Sequence, residues 1–136
     1  MNILIAVVLA MILAQLIKTV INRVQTKKLD WSMLIQDGGM PSSHSAVVSA
    51  LSMSVFFEEG KITVLFVVVI VFSLIVINDA YKARRTVGLE AHIVNEIAAK
   101  EKLTFTKLNE RQGHTPLQVL MGAVLGIVIT LLIYSL

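Results

Sequence analysis

The chain has 136 residues, 56% of them hydrophobic and only 15% charged, with two prolines and no cysteine. Its mean hydropathy is +0.80, whereas soluble domains carry about 25% charged and about 45–50% apolar residues. A chain this short leaves much of its surface exposed and cannot hide that surplus in one core. Soluble enzyme, disordered tail and disulfide scaffold all fit poorly, and a small integral membrane protein is expected.

Four stretches carry no Asp, Glu, Lys or Arg: residues 1–17, 38–57, 62–78 and 112–136. Each approaches the length of about 20 residues that a helix needs to cross the hydrocarbon core. The first lacks a basic start and an A-x-A-like cleavage site, and Lys18 and Arg23 follow where a span ends. It reads as a retained span, not a signal peptide. The second holds Ser42, Ser43, His44, Ser45, Ser49, Ser52 and Ser54, a density of hydroxyls that suits a helix buried among others. After the third, Leu89, Ile93 and Ile97 recur at i, i+4, i+8 with Val94 beside them. This predicts an amphipathic helix to roughly Lys102, along the membrane surface or packed on the bundle's cytoplasmic end. On the last span, Gly122 and Gly126 form a small-xxx-small pair that would permit a homodimer. The expectation is therefore one domain, 1–136, without repeats: an all-α bundle of about four transmembrane helices plus a cytoplasmic amphipathic helix.

Of the twelve Lys and Arg, four lie in 18–28 and seven in 82–111, and the connection Glu58, Glu59, Gly60, Lys61 is balanced to acidic. The positive-inside bias puts 18–37 and 80–113 in the cytoplasm, with both termini and the 58–61 turn outside. The formal charge of +3 fits basic loops near anionic headgroups better than nucleic-acid binding. Trp31 reads as an interfacial anchor, the methionines as core or lipid-facing filler, and His92 as a solvated or packing residue. The absence of cysteine and of His/carboxylate ligand spacing argues against structural zinc.

Two junctions carry the candidate chemistry. In the first, Asp37, Gly38, Gly39, Met40, Pro41, Ser42, Ser43 and His44 run in sequence, with Asp37 read as closing the glycine turn. Its glycines give an open approach, and Pro and Ser stand where helix starts prefer them. In the second, Gly113, His114, Thr115 and Pro116 place a capping Thr before a first-turn Pro. Each sets a histidine at the amino end of a helix, where free N–H groups and the helix dipole favour anions and disfavour imidazolium. Lys18, Arg23, Lys82, Arg84 and Arg85 lie on the same expected side, and Arg84 or Arg85 would clamp phosphate oxygens bidentately. Asp79 is placed to pair with one of them or to enter the site. Two neutral histidines beside such cations suggest phosphoryl transfer through one, with the other protonating the leaving oxygen.

The run Pro41-Ser42-Ser43-His44 is similar to the PSGH motif of the type 2 phosphatidic acid phosphatase (PAP2) superfamily, which includes the vanadium haloperoxidases. The ordered set of Gly38 to Ser45, Asp79 with Arg84 and Arg85, and Gly113-His114-Thr115-Pro116 with Gly122 more closely resembles the divergent PAP2 family of small membrane proteins. The resemblance implies a metal- and cofactor-independent lipid-phosphate or prenyl pyrophosphate phosphatase working through a phosphohistidine. It implies His114 as nucleophile, His44 as acid, and Lys18, Ser42, Ser43, Arg84 and Arg85 as phosphate ligands, supported by Gly38, Gly39, Asp79 and Gln118. The chain departs from the PAP2 pattern at Ser43, which replaces Gly, and at Lys18, which is followed by Arg23 but no Pro. Lys107 and Leu108 replace the Ser-Arg pair of the third motif, and Gln118 stands where PAP2 enzymes have the Asp that orients the nucleophile. The alternative reading, favoured by Gln118, is a catalytically silent lipid-phosphate binder or translocation component. A cell-membrane protein with a cytoplasmic site is expected. Single cysteines placed in 58–61 should be labelled by impermeant maleimide from outside, and those at Gln25 or Asn95 should not; reversed labelling would overturn the orientation.

Overall fold

In a computed structural model, which describes residues 1–27, 38–110 and 112–136, the chain forms five helices: α1 Asn2–Thr26, α2 Ser43–Glu59, α3 Val64–Asn78, α4 Arg84–Lys100 and α5 Pro116–Tyr134. A π turn, Asp79–Ala83, joins α3 to α4 in one helical rod, Val64–Lys100, of 37 residues. The expectations for Trp31 and Asp37 fall outside the described residues.

Small residues hold the helices together. Ala6, Ala10 and Ala14 repeat every four residues on α1 and are fully buried, and Ala10 and Ala14 cluster with Ala46 and Ala50 of α2 and Ile129 of α5. On α5, Gly122 and Gly126 lie against α2, and a Cβ on either would run into the Ser42 or Ala46 carbonyl. The Gly122/Gly126 pair is thus engaged within the chain, and a homodimer would have to use another face. The α2 backbone also receives hydroxyls: Thr130 Oγ1 donates to the Ala50 carbonyl at 3.3 Å and Ser73 Oγ to the Val48 carbonyl at 3.3 Å. Ser52 and Ser73 Oγ are 2.9 Å apart. The serine-rich helix is indeed the centre, with α1, α3 and α5 packed around it. Large apolar side chains point outward instead, and Ser73 is the one buried residue of α3. Small and hydroxyl groups inside with Leu, Val and Phe outside is the arrangement a hydrocarbon solvent selects.

Among the described residues, three helices have the length and hydropathy of a span: α1, the Val64–Lys100 rod and α5. The sequence leads one to expect four. The difference lies in the second stretch, where residues 38–42 form the turn and N-cap before α2 and leave a helix of 17 residues. The amphipathic segment is helical, as α4. It continues α3 through the π turn, and its buried face is Gly88, Ala91, Asn95 and Ala98. Leu89, Ile93 and Ile97 are 58%, 55% and 54% exposed, because the segment after Lys102 bonds to the small face through Asn95.

Gly126→Leu should force α5 away from Ala46, at about 1–3 kcal/mol for overpacking alone. The thermal midpoint of the detergent-solubilised protein should fall by several degrees, whereas Leu132→Ala on the exposed face of α5 should barely move it.

Candidate functional site

The two junctions meet because backbone groups at three helix ends satisfy one another. Ser42 N–H, which begins α2, donates to the Gln118 carbonyl in the first turn of α5 at 3.0 Å. His114 N–H donates to the Ala80 carbonyl in the π turn, also at 3.0 Å. Gly113 (φ 81°) fits there because its missing side chain leaves room for the backbone of Arg84 and Arg85. Gly39 (φ 84°) lies on the Lys18 side chain, which would be 3.1 Å from a Cβ at that position. These two positions combine a left-handed backbone with a close approach, so glycine is required at both. The rings of His44 and His114 stand edge to face with centroids 6.1 Å apart.

His114 is only 1% exposed, and its tautomer follows from its partners. Gln118 Oε1 lies 3.0 Å from Thr115 N–H and 3.3 Å from His114 Nδ1. Since a backbone N–H only donates, the amide atom facing it is the oxygen, so Nδ1 carries the proton and Nε2 the lone pair. Among the described residues Nε2 has no hydrogen-bond partner. Burial is the largest influence and lowers the His114 pKa; the Lys18 and His44 charges act with it, and the bonds to the Gln118 side chain and the Gly39 backbone oppose it. With the proton on Nδ1, the neutral form of the ring presents its lone pair at Nε2. Gln118 also closes a capping box with Thr115, so one amide both starts α5 and orients the imidazole.

His44, the second residue of α2, faces Arg84. Arg84 Nη1 is 3.3 Å from His44 Nε2, and Arg84 Nε donates to Asp79 Oδ2 at 2.9 Å. Of the pairings open to Asp79, the structure selects Arg84. Lys18 is 2% exposed, within α1. Ser42 is the N-cap of α2: its Oγ accepts from Ser45 N–H at 3.3 Å and from Ser45 Oγ–H at 3.1 Å. Both bonds use the oxygen as acceptor, and the hydroxyl proton remains a donor.

Two concavities flank the histidines. A polar pocket of about 530 Å³ is lined by Gly38, Gly39, Arg85, His114, Thr115 and Gln118, and its outer wall includes His92 and Glu110. An apolar groove of about 400 Å³ between α1, α2 and α3 is lined by Met11, Ser43, His44, Val47, Phe72 and Val76. Lys18, Arg84 and Asp79 line neither, although Arg84 contacts His44 and Lys18 packs under Gly39. Among the described residues, no three His, Cys, Asp or Glu side chains are grouped to hold a metal.

The outer wall was not legible in the sequence. Asn95 Nδ2 donates to Glu110 Oε1 at 2.7 Å and to the Leu108 carbonyl at 2.9 Å, while Leu108 N–H donates to Asn95 Oδ1 at 3.0 Å. His92 Nδ1 is 3.0 Å from Glu110 Oε2. These partners are separated by 13 to 18 positions, and no local pattern announces them. The Asn95 bond, then the His92 bond, lower the Glu110 pKa from 4.5 to about 2. A depressed carboxylate stabilises the clamp above its unfolded pKa and loses that contribution as pH falls through the folded value. Amide-exchange protection at Leu108 should hold at neutral pH and fall between about pH 4.5 and 2. In Glu110→Gln that acid-dependent loss should disappear.

The sequence profile of the Divergent PAP2 family matches residues 1–129. The chain is 40% identical over 139 aligned positions to the uncharacterized membrane protein YuiD of Bacillus subtilis (strain 168), covering 91% of this chain and 88% of that protein. No solved structure matches. With the profile spanning nearly the whole chain and both histidine junctions, this helical membrane protein belongs to the Divergent PAP2 family.

Proposed function

We propose that the protein hydrolyses a lipid phosphate or prenyl pyrophosphate through a phosphohistidine on His114. One observation carries this reading: a buried His114, its Nδ1 held by Gln118 and its Nε2 without a hydrogen-bond partner among the described residues, lies beside His44, with a polar pocket on one side and an apolar groove on the other. Nε2 attacks phosphorus, the N–P bond forms as the P–O bond to the lipid breaks, and His44 protonates the departing oxygen. Water then hydrolyses the phosphohistidine. Arg84, Arg85 and Lys18 offset the oxyanion charge, Ser43 lies beside His44, and Ser42 contributes by starting α2. No metal enters this scheme.

The same proposal sets the protein in the membrane. A 37-residue rod is about 55 Å long against a hydrocarbon core of about 30 Å, so α3 spans and α4 continues beyond, its Leu89, Ile93 and Ile97 edge toward the interface. α2, enclosed by three apolar helices, serves as the fourth span. Positive-inside charge puts the site on the cytoplasmic face of the cell membrane.

A second reading, a silent lipid-phosphate binder, draws on Gln118, since an amide orients imidazole but gives imidazolium no counter-charge. The two readings separate on a panel of phosphatidic acid, lysophosphatidic acid, prenyl phosphate and prenyl pyrophosphate presented in detergent. The phosphatase reading expects inorganic phosphate release that vanadate inhibits, chelator leaves unchanged and His114→Ala abolishes. Gln118→Glu keeps the capping box and should raise the rate at least about tenfold, a fraction of the roughly 10⁴-fold that the carboxylate contributes in a serine-protease triad. Vanadate binding without release from any member would establish the binder instead.

A further inference from the structure

Asp79 and Arg84 are five residues apart. On an α-helix that spacing turns side chains about 140° from one another, and no ion pair forms. Here the π turn closes i to i+5, with Arg84 N–H bonded to the Asp79 carbonyl, so the two residues stack. Isolated π turns are often found at functional sites. The carboxylate takes Arg84 Nε at 2.9 Å, fixing one edge of the guanidinium, while Nη1 reaches His44 Nε2 at 3.3 Å across to α2. The next residue of the same turn, Ala80, accepts the His114 N–H. One change of helical register therefore touches both histidines.

The guanidinium has five N–H donors and no acceptor, and it stays charged. A nitrogen that receives its hydrogen bond must present a lone pair. The contact therefore assigns the proton of neutral His44 to Nδ1. We propose that Asp79 is a positioning residue for His44, acting through Arg84 across the π turn, and that it sets which imidazole nitrogen holds the proton. Its consequence for catalysis rests on the phosphatase reading. A phosphate oxyanion is a stronger acceptor than imidazole and competes for Nη1. Because Asp79 keeps hold of Nε, the guanidinium pivots toward phosphate without leaving. His44 Nε2 then takes the proton of the arriving phosphate monoanion, which becomes the dianion, and this proton is the one later given to the leaving oxygen. Phosphate arrival would thus arm the acid. Among the described residues, the charged and titratable groups around the ring include Arg84 and Asp79 on the rod, His114 before α5, and Lys18 of α1, which acts on His114.

The chain has three histidines, so the test is direct. Full-length protein labelled with ¹⁵N-histidine is reconstituted in nanodiscs, and signals are assigned with His44→Gln and His92→Gln. In the wild type, His44 should carry its proton on Nδ1. In Asp79→Asn and Asp79→Ala it should shift to a mixture or to Nε2–H, while His114, held by Gln118, stays protonated on Nδ1 and reports an intact fold. Asp79→Glu should restore most of the wild-type pattern. Should the Asp79 variants fail to fold, Arg84→Lys and an orthovanadate titration of the wild type serve instead. Arg84→Lys should lose the pattern, and orthovanadate should protonate His44 Nε2 while leaving His92 unchanged. A wild-type His44 protonated on Nε2, or variants and titration that leave its tautomer unmoved, would overturn the proposal. These signals need no turnover. Absence of phosphate release from every lipid would sink the phosphatase reading while leaving the tautomer result to stand or fall alone.

Discussion

The site depends on one close contact, the approach of the α5 backbone to the α2 backbone at Gly122 and Gly126. With no hydrophobic drive between helices in lipid, packing distance and polar contacts decide association, and side chains at these two positions would hold the helices apart. That proximity lets Ser42 N–H reach the Gln118 carbonyl, which fixes the start of α2 against the start of α5. His44 and His114 are neighbours as a result, although they stand 70 positions apart in the sequence.

From that contact the electrostatics follow. Each junction has its own orienting group: an amide for His114 and a cation for His44. Gln118 is committed to its imidazole and its cap at once, so changes there act on the helix start and on the chemistry together. The Asp79–Arg84 pair is committed to the π turn in the same way. Lys18 is buried beneath Gly39, and its charge acts with burial to lower the His114 pKa, against the pull of the Gln118 bond.

Much of this was readable from the residues. Composition showed an all-helical membrane chain, and hydroxyl density picked out α2 as the buried helix. Helix-start chemistry located both junctions, and the one-turn spacing from His114 to Gln118 anticipated their contact. What escaped had physical causes. Three helices, not four, have the length of a span among the described residues, because a glycine-proline turn uses up the start of the second apolar stretch. On α4, a pattern that identified the apolar stripe could not say that the small face, not the stripe, would be covered. The π turn leaves no mark in hydropathy, and the Asn95–Glu110–His92 clamp joins residues through tertiary contact alone. Gly122 and Gly126 were correctly read as permitting close packing, but the neighbour is a helix of the same chain.

The central claim is that His114 Nε2 becomes bonded to phosphorus, and the covalent intermediate tests it most directly. Purified protein is incubated briefly with ³²P-labelled phosphatidic acid or prenyl phosphate, quenched in alkali, where phosphohistidine survives, and mapped by mass spectrometry. The account predicts an acid-labile label on His114, absent from His114→Ala and accumulating when hydrolysis of the intermediate is slow. Phosphate release with no label on His114, or a label on His92 or His44 instead, would contradict it.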